Sequence, residues 1–289
     1  MLKLQTPVEP GRIGPELSYE DRILVLGSCF ADNIGEKLRQ HGFRVCVNPF
    51  GTLYNPISVC MALERLASGR PFTEGDCVPL GAGDGRIGSF SHHTSFARET
   101  AGEFLAAANE SLAGASAFWQ GCTKVIVTLG TAWCFRHAES GRVVANCLKR
   151  PAAEFTRERL DVAAASGLLR DAVAAAPGRD FIFTVSPIRH LKDTAHGNQL
   201  SKSILLLAVD DIVSDTDLSA RTGYFPAYEI VMDELRDYRW YAEDLLHPSS
   251  VTVDYLWERF MDAVLAPGEK KTLLEAGERF RRSQHRPMR

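Results

Sequence analysis

Short apolar runs separated by longer helical patterns constrain this chain more than any other feature. Arg22–Gly27 reads as a buried strand ended by a glycine turn, and Arg44–Val47 as a second ended by Asn48-Pro49. Lys124–Leu129 is a third, ended by Gly130, and residues 180–186 are a fourth, stopped by Pro187. Helices are expected at 31–41, 56–67, 99–118, 154–176, 198–213 and 249–265, and a fifth strand at 228–232. Parallel neighbours need a crossover, so strands alternating with helices predict an α/β fold: a three-layer sandwich with a mainly parallel central sheet. Two stretches interrupt this plan as insertions, the glycine-rich 69–98 and 132–149, where Ser140-Gly141 is expected to turn a hairpin. No linker or repeat divides the rest. Residues 1–265 are expected to form one domain, and 266–289 a basic, solvated helix or tail.

Composition narrows the function classes. A 45% hydrophobic fraction is enough for a real core, and a net charge of −3 gives no electrostatic case for nucleic acid. The opening residues are broken by Pro7 and Pro10 and lack the apolar core of a secretory leader. No apolar run has the length of a membrane span, so no membrane partner is expected. The seven cysteines are odd in number and contain no C-x-x-C pair, the pattern of reduced thiols in a cytoplasmic protein. Metal-ligand spacings are missing, so neither a metal nor another cofactor is expected.

In a parallel sheet, ligands bind beyond the carboxyl ends of the strands. Strand one delivers Gly27-Ser28-Cys29 there, a turn that sets a small nucleophilic side chain at a helix N-terminus, where unpaired N–H groups favour a thiolate or oxyanion. Read alone, the same residues are a Ser28 helix cap and a Cys29 filler. The last long helix is preceded by Asp244-x-x-His247, a spacing at which the carboxylate can hold the imidazole and raise its basicity. Read alone, that pair is also an ordinary surface contact. Trp133 follows strand three, and Arg189 and His190 follow strand four, where they are candidates for binding an anionic or sugar-like substrate. His92 and His93 lie in the first insertion, positioned to reach over such a site.

Gly27-Ser28-Cys29-Phe30-Ala31 resembles the signature of the GSCFA family, which is grouped with the SGNH, or GDSL-type, esterases and acyltransferases. Further blocks follow in the family's order: VNPFGTLYNP (47–56), SFSHH (89–93), LGTAW (129–133), TVSPIRH (184–190), GNQLSK (197–202), YFPAYEIVMDELRDYR (224–239) and DLLHPS (244–249). The resemblance implies an SGNH, flavodoxin-like fold and a Cys/Ser-His-Asp triad. In-frame alignment puts the nucleophile at Cys29, with Ser28 as its competitor, His247 as base and Asp244 as its orienting partner. The superfamily's oxyanion glycine falls on Gly51. Its oxyanion asparagine has no counterpart in Gly130-Thr131-Ala132-Trp133, leaving Asn55, Asn146 or a backbone amide to supply a donor from elsewhere. The implied activity is hydrolysis of an acyl ester, on an O-acylated glycan or other small ester, through a covalent acyl-enzyme. The alternatives are acyl-CoA-dependent O-acyl transfer in polysaccharide biosynthesis and a non-catalytic carbohydrate-binding or assembly role on the same fold.

Overall fold

In the computed structural model, which describes residues 6–284, five strands form one all-parallel sheet. They are β1 (Arg22–Gly27), β2 (Arg44–Val47), β3 (Lys124–Leu129), β4 (Asp180–Val185) and β5 (Thr222–Phe225), in the order β5-β4-β3-β1-β2. Side chains alternate between the two faces of a strand. Leu24, Leu26, Val125, Val127, Phe181 and Phe183 therefore face one layer of helices, which supplies Val59, Leu63, Phe104, Leu112, Leu169 and Leu205. These belong to α2 (Pro56–Ser68), α3 (Ala101–Gln120), α4 (Val162–Ala174) and α5 (Thr194–Val213). Ile23, Val25, Ile126 and Ile182 face the other layer, where α1 (Cys29–Gln40) supplies Phe30, Ile34 and Leu38. Leu256, Trp257 and Phe260 of α6 (Ser250–Val264) complete that layer. A sheet covered on both faces needs apolar residues at successive positions, which is why β1, β3 and β4 read as continuous runs.

Two expected elements are corrected. The fifth strand is β5, upstream of 228–232, and Ala227–Glu229 is a helical turn that widens into the π-helical Ile230–Leu235. Ile230, Val231, Glu234 and Leu235 are buried there while Met232 is exposed, a helical rather than alternating pattern. The helix expected over 154–176 begins only at α4, where the Asp161 side chain accepts from the Ala164 N–H at 2.8 Å. Before it, Phe155–Arg159 is a strand joined antiparallel to Trp133–His137, which also pairs with Val143–Val144. The second insertion is thus a three-stranded sheet reaching Arg159, with the hairpin turn at Ser140-Gly141. The first contains the two-stranded pair Val78–Pro79 and Ile87–Gly88. The basic segment forms α7 (Lys270–Gln284), while Arg286, Arg289 and the first residues of the N-terminal segment lie outside the described residues. Among the described residues, no helix is long and apolar enough to cross a membrane.

Candidate active site

The chain leaves β1 for β2 on one side and later enters β3 on the other, so the winding reverses between β1 and β3. A crevice beyond the carboxyl ends of the strands opens at such a point. Gly27 ends β1 with φ +139°, and a Cβ there would lie 2.1 Å from the Thr128 carbonyl oxygen. Only glycine allows that approach. The Ser28 N–H then donates to Thr128 O at 3.1 Å, and the Leu53 N–H to Gly27 O at 2.8 Å. Asn48, at φ +40°, accepts from the Gly27 N–H through Oδ1 at 2.8 Å and donates from Nδ2 to Asp32 at 2.6 Å. One side chain thereby pins the turn to the first helix.

Within this turn Ser28 and Cys29 differ sharply. Ser28 is 1% exposed, does not cap α1, and its Oγ has no hydrogen-bond partner. Cys29 opens α1, is part-exposed, and its Sγ lies 3.7 Å from the Tyr54 hydroxyl. That hydroxyl is also 3.1 Å from Thr52 Oγ1. Burial, ahead of other causes, pushes the Tyr54 phenol up to about 12. The Tyr54 carbonyl accepts the N–H groups of Gly130 at 2.8 Å and Thr131 at 2.9 Å, tying this loop to the end of β3.

The residues expected as oxyanion donors make the following contacts. The Gly51 N–H already donates to Asn48 O at 2.8 Å, which corrects the expectation of a free amide at that position. Asn55 Oδ1 caps α2 by accepting from Ser58 N–H at 2.9 Å, and Asn146 Oδ1 accepts from Leu148 N–H at 2.8 Å, contacts that fix each amide through its oxygen and do not involve the Nδ2 donors.

Asp244 and His247 do meet. Oδ2 of the aspartate lies 2.6 Å from the ring Nδ1, while Oδ1 accepts the backbone N–H groups of Leu246 at 2.9 Å and His247 at 3.0 Å. Those backbone donors, His247 first, and then the ring hold the Asp244 carboxyl down at about 2. An ionised acceptor on Nδ1 makes that nitrogen the proton carrier and leaves Nε2 with the lone pair. Leu245 takes φ +57°, and Arg189 ties the loop to the sheet through its N–H to Leu246 O and its guanidinium to Leu245 O, both 3.3 Å. Among the described residues, no hydrogen bond joins His247 to Cys29 or Ser28.

Between the two halves stands His190. Its ring packs edge-on to Tyr54, with centroids 6.2 Å apart, and its N–H donates to Asn198 Oδ1 at 2.9 Å. Its Nε2 is buried without a partner, and burial, then the charges of Lys202, His247 and Arg157, bring its pKa down to about 4. Arg157 reaches in from the inserted sheet, stacked over Trp133 at 4.2 Å and ion-paired to Asp193. His93 is part-exposed against Gly51, its ring Nδ1 3.0 Å from Ser95 Oγ. His92 is 0% exposed, with Phe50, Phe72, Phe96 and Phe104 around its ring. Its Nδ1 is 2.7 Å from Ser89 Oγ and its Nε2 is sealed without a partner, which corrects the expectation of a substrate contact.

Sequence reasoning did not single out Asn48, Tyr54 or Lys202. The Lys202 amine is fully buried, donating to Gly130 O at 2.6 Å and Ser186 O at 2.7 Å, and burial lowers its pKa to about 7. Its signal was positional: Asn198, Ser201, Lys202, Leu205, Ala208, Val209 and Ile212 lie on one buried helical face.

A five-stranded parallel α/β protein, with a thiol-bearing turn and an Asp–His pair after the sheet, is the class that fold and geometry define. The model of the GSCFA family matches residues 22–260, and the chain belongs to that family. No curated protein and no solved structure matches it.

Proposed function

We propose that the protein is an SGNH-type acyl-ester hydrolase that works through a thioester on Cys29. What supports this reading first is the contrast at the turn: the Cys29 thiol is part-exposed at a helix N-terminus, whereas the Ser28 hydroxyl is enclosed. The formed Asp244–His247 pair supports it second, because it supplies a base of defined tautomer. The Cys29 proton passes to His247 Nε2 as Sγ attacks the ester carbonyl carbon. The oxyanion faces the Cys29 N–H at the start of α1, which has no partner within the helix. Collapse breaks the carbon–oxygen bond, and the leaving alcohol takes the proton from His247. Water then attacks the thioester, losing its proton to His247, which returns it to the departing thiolate. The side chain of Arg157, reaching in from the inserted sheet over Trp133, makes a small O-acylated glycan or other polar ester the fitting substrate class.

Mass spectrometry after exposure to p-nitrophenyl acetate tests the assignment. An acetyl adduct is expected on Cys29 in wild type and in Ser28→Ala, and none in Cys29→Ala, whose turnover falls by about 10³-fold or more. An adduct retained in Cys29→Ala sinks the reading.

A further inference from the structure

We propose that the Tyr54 hydroxyl is an oxyanion donor of this site, acting with the Cys29 N–H in place of a side-chain amide; the inference rests on Cys29 as nucleophile. Elimination narrows the choice. At the end of β3, the N–H groups of Gly130 and Thr131 donate to Tyr54 O, that of Ala132 to Ser201 Oγ at 2.8 Å, and that of Trp133 to Thr131 Oγ1 at 3.1 Å. The Gly51 N–H is bonded to Asn48 O. The amides flanking the turn are thus directed inward, away from a reacting carbonyl. The Tyr54 hydroxyl, 3.7 Å from Sγ, is the side-chain group hydrogen-bonded to the thiol among the described residues. An oxygen on a carbon newly bonded to Sγ falls within reach of such a donor.

The hydroxyl is also oriented and fixed. Thr52 is 9% exposed and its Oγ1 lies 3.1 Å from the Tyr54 hydroxyl; in the proposed arrangement Thr52 donates to Tyr54, which frees the phenolic proton for the sulfur side. Two amides just past β3, those of Gly130 and Thr131, hold the Tyr54 backbone, and His190 packs against its ring. Burial raises the phenol, so it keeps its proton at neutral pH and acts as a donor. In the step itself Tyr54 transfers nothing. It hydrogen-bonds the oxygen as the carbonyl π pair becomes a lone pair, and releases that bond when the double bond re-forms.

The test separates oxyanion from thiol. In Tyr54→Phe, the single-turnover acylation rate with p-nitrophenyl acetate should fall about 10²-fold with KM little changed. Alkylation of Cys29 by iodoacetamide, a displacement that develops no oxyanion, should keep its rate when both reactions are compared on their high-pH plateau, where any effect of Tyr54 on thiol ionisation drops out. Thr52→Val should show the same split with a smaller loss, which covers the case of a poorly folding Tyr54→Phe. Acylation at the wild-type rate with Cys29 still the acylated residue overturns the inference. So does plateau alkylation that slows in parallel, since Tyr54 then acts on the thiol rather than on an oxyanion. Adduct formation in Cys29→Ala is a different failure, because it removes the nucleophile first.

Discussion

Ser89-x-x-His92 and Asp244-x-x-His247 have the same spacing and nearly the same contact. In each, an oxygen three residues upstream lies within 2.7 Å or 2.6 Å of the ring Nδ1. The surroundings are opposite. His92 is walled by four phenylalanines and its Nε2 is sealed, whereas the His247 side chain is 46% exposed. The partners differ as well. The Ser89 hydroxyl is neutral, while Asp244 is held ionised by two backbone N–H groups before the ring adds its own. Spacing alone builds the hydrogen bond; burial and partner charge decide whether the other nitrogen can take a proton.

The largest expected effect breaks the charge half of that comparison. Asp244→Asn gives His247 a neutral partner and should lower ester turnover by about 10³- to 10⁴-fold. Its melting temperature should stay within about 2 °C of wild type. If turnover survives, the pair is only a loop contact. The converse change is His92→Ala, which opens a cavity among the rings and leaves Ser89 without its partner. Urea unfolding should report a loss of about 2–4 kcal/mol, with turnover of the folded protein close to wild type. A selective loss of turnover would return His92 to the site.

The last effect is an acid slope, the part of the His92 contribution that pH alone removes. The native pKa of His92 is lowered by burial to about 4, below its ordinary value, so between roughly pH 6.5 and 4 the unfolded chain binds a proton that the native protein does not. Stability should therefore fall as the pH drops through that window, by about 3 kcal/mol for His92, and level off below it. His190, lowered for the same first reason, adds in the same direction, discounted for its partial exposure. His92→Leu should flatten the slope in part. An unchanged slope would mean that His92 is protonated within its cage.

The parallel sheet was legible because β1, β3 and β4 are buried on both faces and need uninterrupted apolar runs. The segment 228–232 misled for a related reason: a short apolar run does not distinguish a strand from a buried helical turn. Phe155–Arg159 was illegible as a strand because its residues are mostly polar and its pairing partner, Trp133–His137, is distant in sequence. The Asp244–His247 contact was legible because it is local. The contact of Cys29 with Tyr54 was not, since it depends on a loop whose carbonyl is fixed by amides just past β3, from far along the chain. The engagement of the Gly51 N–H was hidden for the same reason: the Asn48 turn, not residue type, directs it.

Lys202 carries one more consequence. Burial lowers its pKa to about 7, so the enclosed amine holds its proton less firmly than an exposed lysine does. Yet its nitrogen is enclosed between the carbonyls that end β3 and precede the His190 loop. The nitrogen meets reagent only when these elements separate: covalent labelling at this residue reports how often the carboxyl edge of the sheet comes apart, and so makes the lysine a built-in clock for that opening.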